Sequence, residues 1–107
     1  NIKMLQDSSV MMDLPRYADF NAAACKLAEH HVNFKEIAGN KAAIMLTVFS
    51  DDTIPAAKGY QVIFTQPIIT KPGLKRVALA TPVDSLSNTL RRLLSKKKCT
   101  VEHIYDY

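Results

Sequence analysis

Side chains able to do chemistry gather at a few places in this sequence, and the richest is its last stretch. TVEHIYDY at 100–107 sets a carboxylate (Glu102), an imidazole (His103) and two phenols (Tyr105 and Tyr107) on an alternating, strand-like frame. An imidazole exchanges a proton near neutral pH, and a phenol joins a large apolar ring to a polar tip. The set therefore suits either a general base or contacts to a polar small molecule or a partner surface. Strand alternation predicts Val101, His103, Tyr105 and Tyr107 on one side and turns Glu102 to the other, so Glu102 and His103 are not expected to share a metal ion. The plainer reading of the same residues is a half-buried aromatic sheet face with His103 as its polar handle.

Glu29, His30 and His31 form a second group at the end of a predicted helix, where imidazoles interact favourably with the helix C-terminus. A metal site there would need Glu36 or Glu102 as further ligands. That is the opening for a metal-binding enzyme of the vicinal-oxygen-chelate kind, in which His and Glu ligands stand on strands of β-α-β-β-β units. Asp84 and Ser85 lie at a helix start and lack the G-x-S-x-G frame of an activated serine. Gly39, Gly59 and Gly73 are isolated, so neither a P-loop nor a dinucleotide fingerprint is present. KAAIMLTVFS does not supply the aromatics flanked by glycine and basic residues of an RNA-reading strand, and nucleic acid is not an expected partner. Cys25 and Cys99 stand in no metal-like spacing and are expected to be reduced thiols. These exclusions lean away from an enzyme; no catalytic residue, metal ligand or cofactor is assigned.

The elements that must position these residues follow from periodicity. After a short apolar segment, with the first strand at NIKMLQ or SSVMM, Asp13 can cap a helix that Pro15 opens. Tyr17, Phe20, Ala24, Leu27 and Ala28 then recur at helical spacing over about four turns. VNFKEIAGN at 32–40 alternates and ends at Gly39-Asn40, which predicts a strand and a hairpin turn. KAAIMLTVFS is apolar on both faces and reads as a central strand. DDTIPAAKG is a loop. YQVIFTQPIIT alternates until Pro67, which cannot donate to a ladder and points to an edge or a bulge. KPG at 71–73 is a turn, and KRVALATP is a further strand. TPVDSLSNTLRRLLSKKK carries the clearest helix: Thr81 as cap, Pro82 in the first turn, Asp84 as a capping-box acid, and Leu86, Leu90, Leu93 and Leu94 on one stripe.

The predicted order is therefore roughly β-α-β-β-β-β-α-β, an α+β open-faced sandwich of ferredoxin-like type with two helices on one face of a mainly antiparallel sheet. With 107 residues, 48% hydrophobic and 22% charged, the chain suits a single domain over 1–107 with one core. Much of the net charge of +4 comes from the lysines at 96–98, read as a solvated helix end with a phosphate-binding patch as the alternative. No apolar run approaches the roughly 20 residues that cross a bilayer, and NIKMLQDSSV lacks the apolar core of a secretory signal. A cytoplasmic protein without membrane contact is expected.

The stretch RVALATPVDSLSNTLRRLLSKKKCTVEHIYDY is similar to the β-α-β core of ACT domains, whose second strand often runs apolar, Glu, aromatic or His, apolar, Tyr. LAEHHVNFKEI at 27–37 resembles the helix-to-strand passage of a preceding repeat, which would divide the chain into abbreviated halves of about 1–58 and 59–107. The family usually carries a glycine in the loop between first strand and helix. Here MMDLPRY and ATPVDSLS have none, and Asp84 and Ser85 are the polar residues of the second loop that stand as candidate ligand contacts. The resemblance implies a non-enzymatic regulatory module that senses a small metabolite, an amino acid among them; a homodimer is expected because an open-faced sheet with an apolar second face (Met45, Phe49 and Ile63) would otherwise leave a large patch in water. Ligand contacts would come from His103, Tyr105, Tyr107, Asp84 and Ser85; a protein-interaction subunit is the other reading of the tyrosine-bearing face.

Overall fold

In a computed structural model, the described residues are 2–4, 10–12, 17–37, 39, 41–51, 54, 59–95 and 99–105. They form, in chain order, β1 (Ile2–Met4), β2 (Val10–Met12), α1 (Tyr17–Glu29), β3 (Ala43–Ser50), β4 (Gln61–Pro67), β5 (Lys75–Pro82), α2 (Leu86–Leu94) and β6 (Cys99–Ile104). β1 and β2 pair with each other, so both candidate first strands exist as one short antiparallel ladder. The remaining strands make a four-stranded antiparallel sheet in the order β4-β5-β3-β6. Asp13, Pro15 and the lysines at 96–98 lie outside the described residues.

β3 is central, as its two apolar faces demand. It pairs with β5 along its whole length, Leu46 opposite Leu79, and with β6 on the other side, Leu46 opposite Ile104. Since β5 and β6 both run antiparallel to β3, they are parallel to each other, and α2 carries the chain across β3 from one to the other. β3, from residues before 58, thus lies between two strands that come after it. Ile44, Leu46, Val48, Val77, Leu79 and Ile104 form a single buried cluster with Phe20, Ala24 and Ala28 of α1 and Leu86, Leu90 and Leu93 of α2. Positions 86, 90 and 93 repeat at the period of a helix, which is why one stripe of α2 disappears completely into this layer.

Several expectations need correction. Residues 32–40 form no strand among the described residues; only Ile37 makes a bridge. Phe34 and Ile37 are both buried although three residues apart, a spacing that no strand sends to one face. The ladder positions beside β3 are also already taken by β5 and β6. Thr81 does not cap α2. A 3₁₀ turn over Val83–Ser85 intervenes, Pro82 ends β5, and the buried Thr81 hydroxyl donates to the Gly59 carbonyl at 2.6 Å and lies 3.0 Å from Thr89 Oγ1. The turn is held instead by the Val83 N–H, which donates to the Ala42 carbonyl at 2.8 Å.

α1 ends on a histidine in place of the usual glycine. His31 adopts a φ of 62°, its N–H donates to the Ala28 carbonyl, and the Val32 N–H donates to the Leu27 carbonyl. This is the paired bonding of a Schellman cap. Arg91 of α2 adds a donor from outside, Nη1 to the Ala28 carbonyl at 3.1 Å, and so places positive charge at the negative end of α1.

Candidate binding face

With both helices on one side of the sheet, the other side is built from Met45, Thr47 and Phe49 of β3 and Arg76, Ala78 and Ala80 of β5, set opposite one another by register. Phe64 of β4 stands opposite Ala78 and His103 of β6 opposite Thr47, so both extend the same face. Met45 and Phe64 are exposed on it.

A charged strap crosses the face. Arg76 lies over the Phe49 ring, 5.3 Å from guanidinium carbon to centroid, and reaches past β3 to Glu102. There Nε donates to Oε1 at 2.8 Å and Nη2 to Oε2 at 2.9 Å. The fork matches the carboxylate on both oxygens, which fixes its position better than a single contact would. Hydrogen bonding from Arg76 holds the Glu102 carboxyl below the ordinary glutamate range. The Thr47 hydroxyl and the charges of Arg76 and His103 act in the same direction, against the opposing effect of burial. Thr47 Oγ1 is itself buried and makes no hydrogen bond of ordinary geometry.

Glu102 reaches this face because β6 is bulged. The pairing of Thr47 with His103 is followed directly by Val48 with Val101, so Glu102 is the extra residue. The expected grouping is therefore wrong in one member: Val101 packs against the core, while His103 belongs to the open face. Asn21 of α1 sits at the bulge from the edge side. Its Nδ2 donates to the Glu102 carbonyl at 3.0 Å, and its Oδ1 accepts from the Ile104 N–H at 2.8 Å. A side-chain amide there does what the peptide of a further strand would do.

Of the residues singled out in the sequence, His103 and Tyr105 come together, edge to face with ring centroids 4.4 Å apart and planes at 79°. Asp84 and Ser85 stand in the 3₁₀ turn that leads into α2, the helix packed on the side of the sheet opposite His103. Tyr107 lies outside the described residues. His30 and His31 are exposed at the end of α1, and Glu36 pairs with Lys41 at 3.6 Å. Among the described residues no group of three His, Cys, Asp or Glu is arranged to hold a metal ion. Burial, with a smaller contribution from Glu29, pushes the Cys25 thiol up, which disfavours the nucleophilic thiolate.

Arg76 and Asn21 were not foreseen as parts of this region. The only signal for Arg76 was its place two residues before Ala78 and four before Ala80, on the side of β5 opposite Val77 and Leu79. Its partner depends on strand order, which no local pattern contains. The face offers apolar area, ring edges and hydrogen-bonding groups while the Glu102 carboxylate is held by a guanidinium, an arrangement suited to recognition more than to proton transfer. No described helix is long and apolar enough to cross a membrane. Comparison of the chain with known protein families, with curated proteins and with solved structures found no match.

Proposed function

We propose that this chain is a non-enzymatic binding or regulatory module that senses a small molecule and acts as a homodimer, with the open sheet face as its recognition surface. The observation that carries this reading is the juxtaposition of His103 and Tyr105 with the Arg76–Glu102 strap on a face that no described helix covers. A ferredoxin-like, ACT-like architecture is supported by the order β4-β5-β3-β6 and by the crossing of α2 from β5 to β6 over β3. One difference from that plan is that α1 precedes β3, where a helix between β3 and β4 would be its usual counterpart. The ligand class best suited to the face is a small polar metabolite such as an amino acid, whose charged groups could meet His103, Tyr105 and the strap.

The test is a thermal-shift screen of the purified chain against amino acids and related metabolites, repeated on His103→Ala. A compound that raises the melting temperature of the wild type and not of the variant is the expected result. A panel with no responder, or one to which His103→Ala responds equally, would remove the open face as the sensing surface.

A further inference from the structure

The charged strap on the open face is anchored so that its two ends can part. Asn21 holds the backbone of Glu102 through the carbonyl, while Arg76 grips the side chain through both carboxylate oxygens. Because Glu102 is the extra residue of the bulge, its side chain can rotate away without breaking a ladder pair. Arg76 has a second hold of its own, the Phe49 ring, whose centroid lies 5.3 Å from the guanidinium carbon. That contact does not depend on Glu102, so the guanidinium stays placed over β3 when the carboxylate leaves.

The pair is also accessible and weak. The Arg76 side chain is 36% exposed and that of Glu102 27%, so solvent screens their attraction and a dissolved anion can reach the fork. Competition from Glu102 should therefore weaken an incoming carboxylate by no more than about fivefold. Glu102 is moreover an incomplete occupant. The Thr47 hydroxyl favours its charged form, yet Thr47 Oγ1 is buried and makes no hydrogen bond of ordinary geometry. A tethered side chain cannot adjust to every donor around it. A free carboxylate can, and it removes the cost of a buried hydroxyl left without a good partner.

The surroundings indicate what such a carboxylate should be attached to. His103 stands opposite Thr47, and the Tyr105 N–H donates to the carbonyl of the exposed Met45 at 2.9 Å. The His103 and Tyr105 rings meet edge to face. Beside the fork the face thus presents ring and thioether surface, which suits an uncharged aromatic or aliphatic body. The net charge of +4 adds a longer-range attraction for anions.

We propose that Arg76 is a carboxylate receptor whose resting occupant is Glu102, and that a small monocarboxylate with an aromatic or aliphatic body binds by replacing Glu102 on the guanidinium. The ligand carboxylate accepts from Nε and Nη2 of Arg76 and from the Thr47 hydroxyl. Its body lies against His103, Tyr105 and Met45, and the Glu102 side chain turns out to water. Glu102 is thereby an internal competitor that excludes neutral isosteres, which cannot match a charge-assisted fork. The inference rests on the reading of the open face as a sensing surface, and it names the ligand class and the switch within that surface.

The experiment is a titration of the isotope-labelled full chain with sodium benzoate and with its neutral isostere benzamide at constant ionic strength. Binding is followed by NMR at the Arg76 Nε–H and the backbone amides of β6. Benzoate should bind the wild type with a Kd on the order of 1 mM, the range open to so small a probe, and benzamide should not bind. Glu102→Gln should tighten benzoate about threefold to fivefold, because the competitor loses its charge. Thr47→Val should weaken it by about the same factor, and Arg76→Gln should abolish the shifts. Circular dichroism checks the fold of each variant. If Arg76→Gln does not fold, Arg76→Lys keeps the charge without the fork and should weaken benzoate about tenfold. Benzoate binding that is no tighter in Glu102→Gln, that survives loss of the fork or that benzamide matches would overturn the exchange. So would the absence of binding to both the wild type and Glu102→Gln. A metabolite from the thermal-shift screen that depends on His103 but is indifferent to Glu102→Gln and to the Arg76 variants would overturn the exchange and leave the sensing face standing. The expected benzoate results beside a silent screen would uphold the receptor and remove amino acids and their relatives as its ligands.

Discussion

The β4 and β6 edges belong to one sheet, and each carries a bulge, but they solve opposite problems. At β6 the bulge lets Glu102 meet Arg76 while Asn21 satisfies the backbone that the irregularity would otherwise leave unpaired. At β4 the bulge at Ile63 interrupts the pairing with β5, and exposed apolar side chains line the edge. A closed edge is therefore secured by long-range side-chain bonds, whereas an open edge needs only to be uncharged. Substitutions at the first should be read in folding and those at the second in association.

The largest effect should come from removing residues 100–107. This takes away β6, the partner of β3 along its second side, and should abolish cooperative thermal unfolding followed by circular dichroism. Survival of the full-length melting temperature would mean that β6 is dispensable and the closed edge has no structural weight. Next, Asn21→Leu strands two backbone groups at the bulge and should cost about 2–3 kcal/mol in chemical denaturation. Ile63→Lys on the open edge should change monomer stability by less than about 0.5 kcal/mol. Equal costs at the two positions would erase the contrast.

Acid sharpens it further. The Glu102 carboxyl is lowered in the folded chain, first by its hydrogen bonds from Arg76, so its contribution is complete above the ordinary value of 4.5 and is lost as pH falls through the lower, folded value. Because Arg76 is about a third exposed, solvent screens much of the pair, and the loss should be modest. Denaturation midpoints of wild type and Glu102→Gln should converge below pH 4.5; parallel curves would show that the strap does not contribute. A further small effect concerns the helix that carries Asn21. His31→Gly relieves a non-glycine residue at positive φ and should stabilise by about 0.5–1 kcal/mol. No gain in a urea titration would mean that the imidazole makes compensating contacts at the cap.

What could be read from the sequence divides along the same line between local and distant causes. The leucine stripe of α2, the central place of β3 and the edge character signalled by Pro67 were all legible, since each is fixed by periodicity or by one residue's covalent geometry. The strand expected at 32–40 failed because alternation over a few residues cannot show that both sides of β3 are already occupied. The regular pattern of TVEHIYDY likewise hid a bulge, since its cause is an amide supplied more than eighty residues earlier in the chain. His103 and Tyr105 could be found from residue type alone, whereas Arg76 and Asn21 could not, because their partners are set by the order of strands.

The insertion of β3 between β5 and β6 has a kinetic side. β3 and β6 pair residues about fifty positions apart, and the joining segment must first fold as α2 and cross over the sheet. On the ribosome, β3, β4 and β5 can assemble as soon as they emerge, but until β6 follows, the second side of β3 offers its hydrogen bonds and the apolar Leu46 and Val48 to any neighbouring nascent chain. The interval between release of α2 and capture of β6 is thus the period in which this protein is most exposed to aggregation and to chaperone binding.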